Sequence, residues 1–173
     1  MMPSSELIDA LIAAIEARSG KADSLFLPGW NHDCWQRLLV DAQVMRLGNG
    51  DVLLKRDDPS NDLYFLVEGE LEVSVPKSDS MTMTAVVSRG PGSIVGEIAF
   101  LDAGPRTASV WSLGVSVLLR LPEAAFEDFR ATEPALAGDL LYAIGRILAH
   151  RLRQCIGSPV THGRLGSSSG LGW

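Results

Sequence analysis

A chain of 173 residues with a formal net charge of −6 has room for one well-packed domain and not for two comfortable ones. The negative balance argues against a protein that holds nucleic acid by neutralising backbone phosphates, and the apolar share of 46% with 21% charged residues is that of a soluble globular chain. No apolar run approaches the roughly 20 residues that span a bilayer. The N-terminus lacks the basic start and apolar block of a signal peptide, so the expected location is the cytoplasm. Cys34 and Cys155 match no metal-ligand spacing and read as reduced thiols.

In chain order, Ser4 and Ser5 stand at an N-cap position before Leu7, Ile8, Leu11, Ile12 and Ile15. That spacing predicts an amphipathic helix closed by Gly20, packed on its own domain or on a partner. Leu25 to Gly29 is a connector. Trp30 to Leu39 predicts a short helix with Trp35, Leu38 and Leu39 inward. His32 lies near Cys34, but neither has a second pair to complete a metal site, and none is expected.

From Ala42 the period changes. Val44 to Leu47, Val52 to Lys55 and Leu63 to Val67 are short strand-like runs, broken by Gly48, Gly50 and the turn cluster from Asp57 to Asn61. Glu68-Gly69 marks a hairpin turn. Leu71, Val73 and Val75 then alternate with polar neighbours, as on a strand with one wet face. Pro76 to Met81 reads as a polar loop, and Thr84 to Ser88 as a returning strand. Further on, Ala108 and Val110, then Val115, Val117, Leu119 and Leu121, alternate on either side of Leu113-Gly114. Many short strands at regular spacing predict a closed or sandwiched β body.

Two helices follow. Pro122 stands where a first helical residue belongs, with Ala125, Phe126 and Phe129 as the apolar face. Pro134 opens a longer helix with a stripe of Leu136, Leu140, Leu141, Ile144, Ile147, Leu148 and Leu152, running to about Cys155 before Gly157 and Pro159. Arg146, His150, Arg151 and Arg153 near its end complement a helix C-terminus or form a local basic patch. The Gly/Ser-rich tail reads as a flexible terminus.

The stretch from Gly92 to Val110 carries the chemistry. Gly96-Glu97 opens a short apolar segment, Ile98 to Leu101. A turn through Asp102, Gly104 and Pro105 then returns Arg106 and Thr107 towards its start. The first amides of a helix lack intrahelical partners and favour an anion. An arginine adds a planar fork suited to phosphate oxygens. Glu97 would repel a phosphate but suits an uncharged hydroxyl pair such as a ribose. Alone, Glu97 and Arg106 read first as a plain surface ion pair pinning a turn and worth little.

Gly96-Glu97-Ile98-Ala99 and Pro105-Arg106-Thr107-Ala108-Ser109 resemble the phosphate-binding cassette of cyclic nucleotide-binding domains. The resemblance runs from about Leu38 to Arg153. It implies a mainly β fold: an eight-stranded, jelly-roll-like β-roll with an N-terminal helix, a short cassette helix and two C-terminal helices. The implied division is an N-terminal helical segment at 1–37, the nucleotide-binding roll with its C-terminal helices at 38–156, and a flexible tail at 157–173.

By the same resemblance, Glu97 holds the ribose 2′-hydroxyl and Arg106 the cyclic phosphate. Amides of Ile98, Ala99 and Thr107 complete the cradle, and Gly96 lets backbone approach the ligand. A hydroxyl at Thr107 accompanies guanine preference in some members and occurs in adenine binders too, so both cAMP and cGMP stay open.

The implied function is that of a bacterial-type regulatory sensor without catalytic residues, signalling through its last helix to an effector protein or a homodimer. Bacterial transcription-factor relatives continue into a helix-turn-helix. This chain turns to Gly and Ser there, so direct DNA binding is not expected. The alternative is a roll without ligand, serving as a dimerisation or docking scaffold. An enzyme of cupin type would need histidines on the strands, and the strand segments have none.

Overall fold

The computed structural model describes residues 3–76 and 84–157. Of the sequence expectations, most of the Pro76–Met81 loop and the tail beyond Gly157 lie outside them. Helix α1 (Ser5–Ala17) is followed by α2 (His32–Leu38). Five strands come next: β1 (Gln43–Leu47), β2 (Val52–Leu54), β3 (Leu63–Glu68), β4 (Leu71–Pro76) and β5 (Thr84–Arg89). A two-residue strand β6 (Ile94–Val95) leads into helix α3 (Glu97–Asp102). Strands β7 (Ser109–Ser112) and β8 (Ser116–Leu121) precede α4 (Glu123–Thr132) and α5 (Pro134–Gly157).

The strands form two four-stranded antiparallel sheets, ordered β1-β8-β3-β6 and β2-β7-β4-β5. The fold is therefore mainly β with helices at both ends, as the sequence implies.

Two apolar layers explain which strand is buried on which side. Odd positions of β3 (Leu63, Phe65, Val67) and of β8 (Val117, Leu119, Leu121) face the helices and pack with Leu11, Trp35, Leu38, Phe126, Leu140 and Ile144. The even positions Tyr64, Leu66 and Leu118 face the second sheet and meet Leu54, Leu71, Val95 and Val110. A strand covered on both faces loses its polar alternation. That is why β3 reads as a continuous apolar run. Trp30, Trp35 and Phe65 stack edge-on in sequence, with centroids 5.1 and 5.8 Å apart, and tie α2 to the sheet.

The helix starts follow local chemistry. Ser4 Oγ accepts from Leu7 N, and Asn31 Oδ1 accepts from Cys34 N at 3.0 Å, each satisfying an orphan amide. Pro134 is the first residue of α5, as expected of a proline. Pro122 instead stays extended at φ −62°, ψ 144° and precedes α4 by one residue. The cause is Asp62, whose Oδ1 accepts from Glu123 N at 3.2 Å and does the capping from a distance of 61 residues. Helix α1 stops at Ala17, three residues before Gly20.

The expected stripe of α5 is displaced at its end. Leu152 is 59% exposed. Arg151, one position earlier, continues the Leu140–Ile144–Ile147 face by helical spacing and is turned inward.

Gly92 lies close against the backbone of α1. Its φ is +78°, and a Cβ there would lie 2.5 Å from Ala14 O. Gly92→Ala should therefore lower stability by more than about 1 kcal/mol, measured as an earlier midpoint in urea unfolding.

Candidate functional site

The segment from Ile94 to Val110 folds as a strand, one and a half helical turns and a loop. Gly96 caps α3 with φ +85°, and a side chain there would sit 2.6 Å from Arg106 Nη1 and 2.9 Å from Asp62 O. Glycine is needed for both reasons: the left-handed backbone and the guanidinium packed against it. Phe100 N closes the first turn onto Gly96 O at 3.1 Å. The amides of Ile98 and Ala99 fall within the first turn, where no intrahelical acceptor exists.

Arg106 is almost wholly buried, at 2% exposure. Its Nη1 donates to Gly96 O, its Nη2 to Asp62 O and its Nε to Ser60 Oγ, each at 2.9 Å. Its backbone is held as well: Arg106 N donates to Asp58 O at 2.9 Å, and Asp57 N donates to Arg106 O at 2.8 Å. The guanidinium carbon lies 5.7 Å from the centre of the Tyr64 ring, within cation–π range. Burial lowers the Arg106 pKa from its ordinary value, opposed by Tyr64 and by the carboxylates of Asp62 and Glu97. A guanidinium starts so high that it stays charged.

Asp62 organises the other side. Its Oδ2 accepts from Arg120 Nε and Nη2, both at 2.6 Å, while its backbone oxygen receives Arg106. One residue before β3 thus joins the cassette arginine, strand β8 and the start of α4. A further link runs through α3 itself, where Phe100 meets Phe126 of α4 edge-on at 4.9 Å.

Glu97 is 7% exposed. Its partner is not Arg106 but Arg151 of α5, whose Nη1 donates to Glu97 Oε1 and whose Nη2 donates to Ile94 O at 3.2 Å. Thr107 is exposed at the rim, Ala99 is buried and Ile98 is partly exposed. Among the described residues there is no group of three or more His, Cys, Asp or Glu that could hold a metal ion. His32 lies beside Ser5 and Asp9, and Cys34 is a buried free thiol. No helix among the described residues is long and apolar enough to cross a membrane.

This geometry is matched by relatedness. A family model described as the cyclic nucleotide-binding domain matches residues 44–133. The chain belongs to that family.

Among curated proteins, this cyclic nucleotide-binding domain is 28% identical over 126 residues to neuropathy target esterase sws of Drosophila persimilis. The match covers 69% of this chain and 8% of that protein. The chain therefore spans less than a tenth of that relative, whose esterase name belongs to the whole of it.

Among solved structures, a cyclic nucleotide-binding domain from Methylobacillus flagellatus superposes with a TM-score of 0.74 at 20% identity, covering 88% of this chain and 82% of that one. The regulatory domain of Toxoplasma gondii PKA, solved with cAMP, gives 0.57 at 23% identity, covering 73% and 46%. At these identities the structures share the fold.

Of the residues that the sequence singles out, the structure brings Arg106 against Gly96, while Glu97, Ile98 and Ala99 open α3 and Thr107 follows Arg106 in an exposed position. Sequence reasoning missed Ser60, Asp62 and Arg151. The signal for Arg151 was present: it is a cation four residues after Ile147 on the apolar face. For Asp62 it was an acid directly before a fully apolar strand.

Two outcomes follow. Arg106→Met leaves the acceptors Gly96 O, Asp62 O and Ser60 Oγ short of a donor, at about 1–3 kcal/mol for each that stays buried and unsatisfied. A loss of several kcal/mol in chemical unfolding is expected.

The Tyr64 phenol is raised above its ordinary value, first by burial and then by Asp62. A raised phenol is held protonated by the fold, so its share of stability is full below the unfolded value of about 10. It is lost as pH climbs to the folded value. Near-ultraviolet titration of a Tyr142→Phe variant, which isolates Tyr64, should show ionisation above that value.

Proposed function

We propose that this chain is a cytoplasmic sensor that binds a cyclic purine nucleotide, cAMP or cGMP, does no chemistry on it, and passes its occupancy outward through α5. The sensing unit is 38–156, with 1–37 as an N-terminal helical segment. The observation that carries this reading is that one cassette holds a buried acid at one end and a buried arginine at the other. Glu97 begins α3, and Arg106 returns to its cap at Gly96 O.

The roles follow from donor counts. A guanidinium has five N–H donors; three of those of Arg106 are committed to protein, one from each nitrogen. One donor on each terminal nitrogen stays for a phosphate, as a fork. The amides of Ile98, Ala99 and Thr107 supply further neutral donors. Glu97 accepts from a ribose hydroxyl, and the exposed Thr107 hydroxyl meets the base. The membership in the family and the cAMP complex of the Toxoplasma relative support the ligand class.

A second reading is favoured by one observation. Arg106 is almost fully covered and Glu97 is already paired, as in a roll that serves as a scaffold for dimerisation or docking without ligand.

Titration calorimetry of nucleotide-free protein separates the two. The sensor binds cAMP or cGMP, and Arg106→Lys weakens it at least tenfold, since a charge-assisted hydrogen bond is worth about 1.5–3 kcal/mol. Absence of heat with both nucleotides would overturn the sensor and favour the scaffold. Thr107→Ala is expected to lower cGMP affinity relative to cAMP in the same measurement.

A further inference from the structure

Three arginines from distant parts of the chain meet where α1 and α5 close on the roll. Gly92 lies against Ala14 of α1, and Arg18, four residues further on the same helical face, caps that helix. Arg89 ends β5 three residues before Gly92, and Ser93 follows it. Arg151 of α5 donates through Nη2 to the carbonyl of Ile94, the next residue along.

Two carboxylates answer these three cations. Arg18 pairs with Asp23 at 3.0 Å, and Arg151 pairs with Glu97. Arg89 has no carboxylate partner among the described residues. Its one hydrogen bond runs from Nη1 to the carbonyl of its own neighbour, Ser88, at 3.3 Å. Burial and then the charge of Arg151 lower the Arg89 pKa, with Arg18 adding to them and Asp23 and Glu97 opposing. A guanidinium keeps its proton all the same, so one positive charge here is left without a partner.

The free donors have a definite shape. The Nε and Nη2 hydrogens of a guanidinium point the same way along one edge and can grip two oxygens together. In Arg89 that whole edge is unused: Nε is buried without a partner, and Nη2 makes no hydrogen bond among the described residues. The Nε atoms of Arg18 and Arg151 and the hydroxyl of Ser93, which is 2% exposed, are buried and unpartnered as well. Of the five such side-chain atoms among the described residues, four therefore lie at this one seam. Buried donors in folded proteins are met by protein, water or an ion. Water would satisfy the hydrogen bonds and leave the surplus charge, whereas an anion answers both. Each of the three arginines is partly exposed, so the seam can be reached from solvent.

We propose that Arg89 and Ser93, flanked by the Nε atoms of Arg18 and Arg151, form a site for a phosphate-class oxyanion that bridges α1, β5 and α5. Donors on four side chains suit a tetrahedral anion with three or more free oxygens better than a carboxylate with two. The site needs none of Gly96, Arg106 or Thr107, so it stands whether or not the cassette takes a nucleotide.

The test is thermal unfolding of the full chain, freed of nucleotide, as phosphate replaces chloride at constant ionic strength. A ligand of the folded state raises the midpoint along a binding curve, and that curve gives an apparent affinity. Arg89→Met should weaken it about tenfold or more, as expected for charge-assisted hydrogen bonds. Arg89→Lys keeps the charge, loses the fork and should weaken it nearly as much, and Ser93→Ala should do so by less. Without phosphate, Arg89→Met should be at least as stable as the wild type, because an unpaired buried charge is gone. Acetate should raise the wild-type midpoint far less than phosphate. Glycerol phosphate as a further arm separates the two sources: a rise equal to that with phosphate assigns a phosphoryl group, and a smaller one the free ion.

Phosphate also stabilises folded proteins by exclusion from their surface, but that rise does not saturate and is common to all variants. An equal rise in the wild type and both Arg89 variants therefore overturns the proposal, as does a wild type that phosphate leaves unchanged. A saturable response that survives in Arg89→Met and Arg89→Lys belongs to another site, the cassette included, and overturns it too. Should Arg89→Met fail to fold, Arg89→Lys and Ser93→Ala carry the same decision.

Discussion

The buried guanidinium of Arg106 is the constraint on which this corner of the molecule rests. A charge at 2% exposure is tolerable only when its donors are satisfied. Here three of its five donors are met, by Gly96 O, Asp62 O and Ser60 Oγ. Those three acceptors come from the cap of α3, the residue before β3 and the turn that precedes it. One side chain therefore fixes the relative placement of the cassette, the central strand and the turn. Asp62 then extends the same web through Arg120 to β8 and through its cap to α4.

That web changes the meaning of the glycine at position 96. A small residue beside a phosphate cradle suggests room for a ligand. The structure shows a nearer reason, since the space is filled by the chain's own arginine at 2.6 Å from where a Cβ would be. A Gly96 substitution would thus act first on Arg106, and on any ligand only through it. Glu97 teaches a related lesson: the acid and arginine of the cassette do not pair with each other, because Glu97 is held by Arg151 and Arg106 by Ser60, Asp62 and the cap at Gly96.

The β body, the cassette helix and the two terminal helices were legible because each rests on local patterns. Leu63 to Val67 is a short apolar run, Phe126 and Phe129 share a helical face, and Gly96-Glu97 precedes a short apolar turn. What escaped were contacts between distant segments. Asp62 capping Glu123 moved the start of α4 off Pro122. Arg151 took the inward place assigned to Leu152. In both cases a charged group sits where periodicity alone favours an apolar or exposed one, and only its partner 54 to 61 residues away explains it.

Strands β3 and β8 are covered on both faces, by helices on one side and by the second sheet on the other. Any shift of either would disturb two cores at once, and close-packed interiors resist that. The pair thus acts as a chassis. Around that chassis α3 meets α4 through Phe100 and Phe126, and the end of α5 meets α3 through Arg151. The chassis thus brings the start of α3 and the end of α5 together at one carboxylate, that of Glu97.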